Sequence, residues 1–157
     1  MVFMFAAEFL ETSTFILSDD CTNFFNQLLL RPEERWQDVT LLQDPITKAP
    51  IWLAEHVMSF GISPASNIAQ RWADSLMFIV LREFALRDAE WLKNNPCQRT
   101  EMYITRRQQL NREGDKMQHA LAVAPMYTDD SFPLIVGPDR VLRFIFVWST
   151  TCSQRLG

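Results

Sequence analysis

Two adjacent aspartates, Asp129 and Asp130, stand in the mostly apolar stretch 122–137, directly after Tyr127 and Thr128. Carboxylate oxygens are hard ligands of the kind that Mg²⁺ takes. Short polar side chains also favour tight turns, so the same pair is typical of a plain turn between two apolar strands. Both interpretations place the two carboxylates at a hairpin tip. The metal-binding interpretation needs a third carboxylate from elsewhere in the chain.

Asp20 is the candidate for that third carboxylate, because it ends an apolar stretch, residues 13–20, that predicts a β-strand. Three carboxylates can hold two divalent ions with help from substrate phosphates. The residue types therefore predict Mg²⁺, with Mn²⁺ as an alternative, if Asp20 and the hairpin tip converge.

The elements that must position these carboxylates are predicted from apolar periodicity and turn residues. A long helix should begin at Ser63 and Pro64, since serine caps helices and proline suits the first helical position. Apolar residues then recur at helical spacing and should pack against the sheet, namely Ile68, Trp72, Leu76, Ile79 and Val80. The helix should end at residues 94–96, where a proline follows two asparagines.

The remaining elements complete an α+β pattern. They are an apolar N-terminus typical of a core strand or helix rather than a signal peptide, the strand 13–20, a turn at 32–35, a strand-turn-strand over 38–60, a polar helix over 98–118, a hairpin over 121–136 and a helix over 139–148. This order predicts an antiparallel sheet with helices packed on one face. Pro125 and Pro133 flank the two aspartates, and proline weakens a central sheet ladder.

Length and charge limit the function further. The 157 residues predict a single domain, 1–157, and the formal net charge of −4 provides no global basic field for nucleic acid. The segment 98–118 has the character of a polar insertion and is locally basic. It is either a solvated helix face or a surface that faces phosphates.

Three cysteines, Cys21, Cys97 and Cys152, are widely spaced and odd in number. They favour a reducing, intracellular compartment, without separating cytoplasm from nucleus. No run of ~18 uncharged apolar residues is present, so no membrane partner is expected. The sequence does not indicate an oligomeric state.

Three short motifs lie along the chain in a fixed order. The first is an aspartate that ends a strand, an aromatic five residues later and a nearby glutamine. The second is a Phe-Gly pair that leads into a helix, and the third is an aromatic, any residue and two aspartates. The matching residues are Asp20, Phe25 and Gln27, then Phe60, Gly61, Pro64 and Gln70, and finally Tyr127, Asp129 and Asp130. From residue 14 to about 148, the chain resembles the palm domain of a retrotransposon-type reverse transcriptase.

The resemblance implies a polymerase palm-like fold and RNA-directed DNA synthesis by two-metal nucleotidyl transfer in the intact parent protein. The implied partners are template-primer nucleic acid and deoxynucleoside triphosphates. Asp20 and Asp129 would bridge both ions, and Asp130 would be a weaker or outer ligand. The backbone carbonyl of Cys21 would complete one coordination shell.

The resemblance also implies substrate-binding roles for Phe25, Gln27, Phe60 and Gly61. Phe25 would lie under the sugar and exclude a 2′-hydroxyl, or it is a plain core aromatic. Phe60 and Gly61 would line the nucleotide site, where glycine permits close approach of the backbone. Alternatively, they form an ordinary turn at the start of the helix.

The match covers a palm core alone. Only 19 residues precede Asp20 and few follow Trp148, so fingers, thumb and RNase H regions do not fit. We therefore expect residues 1–157 by themselves to extend no measurable primer. One alternative is a catalytically inactive retroelement remnant that acts as a structural or binding module, and another is an unrelated α+β interaction domain. The polymerase interpretation requires the Asp20 strand and the Asp129 hairpin to be neighbours in one antiparallel sheet.

Overall fold

A computed structural model describes residues 2–21, 28–37, 39–58, 65–110 and 121–155. The elements are, in chain order, α1 (Val2–Phe9), β1 (Thr14–Ile16), β2 (Asp19–Asp20), a 3-10 helix (Pro32–Gln37), β3 (Val39–Gln43), β4 (Pro50–Ala54), α2 (Ala65–Asn94), α3 (Gln98–Leu110), β5 (Ala122–Val123), β6 (Met126–Tyr127), β7 (Asp130–Ser131), β8 (Leu134–Val136) and α4 (Pro138–Arg155). Helices combined with antiparallel strands confirm the α+β class.

An antiparallel sheet in two pieces forms the centre of the fold. One piece has the strand order β1-β8-β5, and the other has the order β2-β7-β6. The pieces meet at Pro125 and Pro133, because proline has no N–H group to donate to a ladder. Single backbone hydrogen bonds still cross the break, from Leu17 N–H to the Pro133 carbonyl and from Phe132 N–H to the Pro125 carbonyl.

Helices cover both faces of this sheet. Ile135 and Val136 are consecutive in β8, so their side chains point to opposite faces. Ile135 belongs to a buried cluster with residues of α2 and α4, whereas Val136 belongs to a second cluster with residues of α1 and with Tyr103 of α3. The packing of α2 and α4 on one face matches the expectation. The contact of α1 and α3 with the other face was not predicted.

Helix α2 packs through a face that overlaps the predicted one, since Leu76 and Val80 are buried and Trp72 packs against the core. Its buried residues are Ala65, Ala69, Ala73, Leu76, Met77, Val80, Phe84 and Asp88. Ile68 was predicted to lie in the core, but 43% of its surface is exposed, so that part of the prediction is wrong. Three alanines recur at intervals of four residues, and their small side chains let the helix lie close to β6 and α4.

A buried ion cluster joins α2 to α4. The carboxylate of Asp88 accepts hydrogen bonds from Nε of Arg140 at 3.0 Å and from Nη2 of Arg143 at 2.6 Å. The guanidinium group of Arg143 also lies over the ring of Trp91, with 4.1 Å between Cζ and the ring centroid. Because a buried charge is very unfavourable without partners, the cluster fixes the position of α4 along α2.

The hairpin of β3 and β4 confirms the predicted strand-turn-strand. Its turn is held by Asp44, whose Oδ1 accepts the backbone N–H groups of Ile46 at 2.7 Å and Thr47 at 2.8 Å. All ten strand residues are exposed, and Leu41 lies opposite Trp52, which is 67% exposed. The hairpin therefore presents apolar side chains to solvent.

Helix α3 confirms the predicted polar helix over residues 98–110. Its Tyr103 is buried and contacts Phe9 of α1, with 6.1 Å between ring centroids. Residues 111–118, the rest of the predicted insertion, lie outside the described residues. The predicted turn after Pro32 is a 3-10 helix. Within the described ranges, none of the helices is long and apolar enough to cross a membrane.

Candidate functional site

The strand that carries Asp20 and the hairpin that carries Asp129 are neighbours in one antiparallel piece of sheet, as expected. Asp20 lies opposite Asp130, and Asp130 lies opposite Tyr127 on the next strand. Directly opposite residues have Cβ atoms ~4.5–5.5 Å apart and side chains on the same face. The carboxylates of Asp20 and Asp130 therefore project close together from one face of the sheet.

The loop between β6 and β7 has two residues, Thr128 and Asp129. Two-residue hairpin loops need a positive φ at their first position, which glycine or asparagine usually supplies. Here Thr128 has a φ of 57°, in the left-handed region that β-branched residues rarely adopt. Such strain costs roughly 1–3 kcal/mol and persists only where the surroundings hold it.

Gln70 of helix α2 supplies that support. Its Nε2 donates a hydrogen bond to the Met126 carbonyl at 2.9 Å, and its Oε1 accepts one from the Thr128 N–H at 3.0 Å. Sequence comparison with the palm pattern singled out Gln70 as part of a motif, but gave no indication that it contacts the hairpin. The second motif and the third motif are therefore joined by two direct hydrogen bonds.

Cys21 connects the end of β2 to the hairpin loop. Its backbone N–H donates to the Asp129 carbonyl at 3.1 Å, which brings Asp129 beside the end of the strand. The pKa of the Cys21 thiol is raised to about 11, mainly by burial and in addition by the negative charges of Asp19, Asp20 and Asp129. The thiol therefore stays protonated at neutral pH.

Asp19 is a site residue that the sequence reasoning missed. Its Oδ2 accepts a hydrogen bond from the indole Nε1 of Trp148 at 2.6 Å, and its Oδ1 accepts one from the Asp20 N–H at 3.1 Å. Asp19 and Trp148 both line a cavity of about 230 Å³ between β2 and α4. Strand alternation is the signal that separates the two neighbours: Asp19 faces α4, so Asp20 faces the opposite side.

The donor set fits a hard cation in its chemistry. Asp20 and Asp130 are exposed and Asp129 is half-buried, so all three present oxygen ligands, which Mg²⁺ prefers. As their side chains lie, no group of three or more acidic, histidine or cysteine side chains in the described part of the chain is arranged to hold a metal ion. Four predicted substrate-binding residues lie outside the described residues: Phe25, Gln27, Phe60 and Gly61.

No protein-family model matches the chain, and no curated protein matches it. The reverse-transcriptase resemblance therefore depends on the three motifs and on where the fold puts their residues.

Proposed function

We propose that strand β2 and the hairpin of β6 and β7 form the ion-binding centre of a reverse-transcriptase palm. Asp20, Asp129 and Asp130 hold Mg²⁺, or Mn²⁺, and the backbone carbonyl of Cys21 contributes a further oxygen. The single observation that supports this most is the register that sets Asp20 opposite Asp130. That pairing joins two motifs from opposite ends of the chain.

The pairing of Asp20 with Asp130 brings two negative charges together. Like charges directly opposite each other in a sheet are destabilising, and a third carboxylate lies in the adjoining loop. A dication between them offsets this repulsion, and their exposure leaves them open to substrate phosphates. When bound, the metal supplies charge stabilisation at the attacking and leaving oxygens. The chain's own task is to hold the carboxylates in a fixed relative position.

The substrates of this centre are template-primer nucleic acid and deoxynucleoside triphosphates. Phe25, Gln27, Phe60 and Gly61 contact the nucleotide, and Phe25 selects against the 2′-hydroxyl. The three cysteines are free thiols, which supports an intracellular, reducing environment for this activity.

A binding module without catalysis is the second candidate function. The exposed hairpin of β3 and β4 favours it, because a two-stranded ribbon is marginally stable by itself and exposed apolar surface marks interaction sites. In this case the carboxylates persist without holding an ion.

Manganese titration followed by electron paramagnetic resonance tests the proposal, because the signal of free Mn²⁺ falls as the ion binds. The wild-type chain should bind Mn²⁺, and Asp20→Asn and Asp129→Asn should each remove most of that binding. Glu83→Gln is the matched control, since it removes one exposed charge from α2, away from the site. Equal binding by wild type and both aspartate variants would overturn the ion-binding centre. A folded wild type that binds no Mn²⁺ would favour the binding module.

A further inference from the structure

The side-chain amide of Gln70 has a single orientation in which all its contacts are satisfied. Its Nε2 faces two acceptors, the Met126 carbonyl at 2.9 Å and Oδ1 of Asp74 at 2.9 Å. Its Oε1 faces one donor, the Thr128 N–H at 3.0 Å. Exchange of the oxygen and nitrogen positions would oppose acceptor to acceptor and donor to donor, so the network itself fixes the amide.

The two contacts with the hairpin lie on either side of Tyr127. One holds Met126, the first residue of β6, and the other holds the first loop residue, Thr128, whose φ is positive. A threonine backbone does not adopt this conformation readily without external support. The helix is a rigid source of that support, because the alanines on either side of Gln70, Ala69 and Ala73, are packed in the core.

We infer that Gln70 is a positioning residue, which acts through the Thr128 loop to set Asp129 and Asp130 against Asp20. The inference deepens the proposed function, because it assigns control of the carboxylate geometry to a residue that contacts no carboxylate of the site. Asp74 assists by holding the amide in its working orientation. Helix α2 thereby couples its own position to the ion affinity of the hairpin.

Gln70→Met separates this role from a merely structural one. Methionine has a similar length and helix propensity but makes neither hydrogen bond, so α2 should keep its fold while the loop loses its support. Loss of a group that orients metal ligands typically lowers metal affinity about 10- to 100-fold. The matched control is Gln108→Met, the same substitution at an exposed position of α3.

Two measurements decide the inference. Hydrogen exchange of the Thr128 amide, followed by NMR, should be faster in Gln70→Met than in wild type and unchanged in Gln108→Met. Mn²⁺ affinity should fall at least tenfold in Gln70→Met and stay constant in the control. Unchanged Thr128 exchange, or unchanged affinity for a wild type that binds Mn²⁺, overturns the positioning role. If wild type binds no Mn²⁺, the proposed function fails, and faster exchange alone then supports Gln70 as the residue that sets the loop.

Discussion

Asp88 of helix α2 and Arg140 of helix α4 form a buried ion pair, with 3.0 Å between Oδ2 and Nε. They lie 52 residues apart in the sequence. The same carboxylate binds Arg143, and that arginine lies over Trp91. The buried carboxylate of Asp88 therefore neutralises two arginines of α4. The same helix carries Trp148, which contacts Asp19 beside the proposed site.

Asp88→Asn should lower the free energy of unfolding by about 3–5 kcal/mol, because it leaves two guanidinium groups without a counter-charge in a buried place. Urea denaturation measures this change. The control is Glu83→Gln, an exposed change on the same helix, which should stay within about 0.5 kcal/mol of wild type. Equal stability of the two variants would contradict the structural importance of the cluster.

The three thiols should react at very different rates. Cys97 is exposed, and hydrogen bonds from Thr100 lower the pKa of its thiol below the ordinary value. Burial raises the pKa of Cys21 to about 11 and that of Cys152 to about 12. Because the thiolate is the nucleophile, iodoacetamide at pH 7.5 should alkylate Cys97 first. Peptide mass spectrometry over time identifies the order, and alkylation of Cys21 ahead of Cys97 would contradict it.

The same two half-buried thiols, Cys21 and Cys152, predict a loss of stability in alkali. Their folded-state pKa values lie above the ordinary value of 9.0, so the folded state keeps protons that the unfolded state releases. The stabilisation is complete below about pH 9 and is lost as pH rises through 11 and 12. Urea midpoints between pH 8 and 11 should therefore fall less in a Cys21→Ala, Cys152→Ala double variant than in wild type.

The packing of α2 can be tested at two neighbouring positions. Ala73→Leu should destabilise the protein by about 1–3 kcal/mol, because Ala73 is fully buried and a larger side chain overpacks the core. Ile68→Ala should cost less than about 1 kcal/mol, because Ile68 is largely outside that core. Thermal unfolding of both variants tests whether the core side of α2 lies at Ala73 rather than at Ile68, and the reverse order would contradict it.

Thr128→Asn should raise the free energy of unfolding by roughly 0.5–1 kcal/mol, because asparagine tolerates a positive φ better than a β-branched residue does. The hydrogen bond from the backbone N–H to Gln70 is kept in this variant. Thermal unfolding in metal-free buffer provides the measurement. A clear loss of stability would indicate that the threonine side chain has a role beyond its backbone.

The pairing of Asp20 with the Asp129 hairpin was expected from the resemblance of the three motifs, since no local signal joins strands so far apart in the chain. The sequence also indicated a weakened ladder at Pro125 and Pro133, since the missing N–H group belongs to the residue itself. The core position given to Ile68 was wrong because large apolar residues were weighted above Ala69 and Ala73. How closely a helix approaches a sheet depends on the elements that pack against it, and the sequence of the helix alone does not give their positions.

Within the site, the bonds of Asp19 to Trp148 and of Gln70 to Thr128 were not predictable. Each joins residues that are distant in sequence and belong to unrelated local patterns. The positive φ of Thr128 was not predictable for a similar reason, since the sequence of the turn does not indicate that a helix supports it. Only the assembled fold brings these partners within hydrogen-bond distance.

Strands β7 and β8, which are central in the two pieces of the sheet, follow β1 and β2 by more than a hundred residues. This separation has a consequence for synthesis on the ribosome. Ser131, which pairs with Asp19, follows it by 112 residues. At ~5–20 residues per second, the N-terminal strands wait roughly 5–20 s for the partner that completes their ladder. During that interval their edges are open to other chains. The carboxylate pair of Asp20 and Asp130 can thus form only long after Asp20 itself has been made.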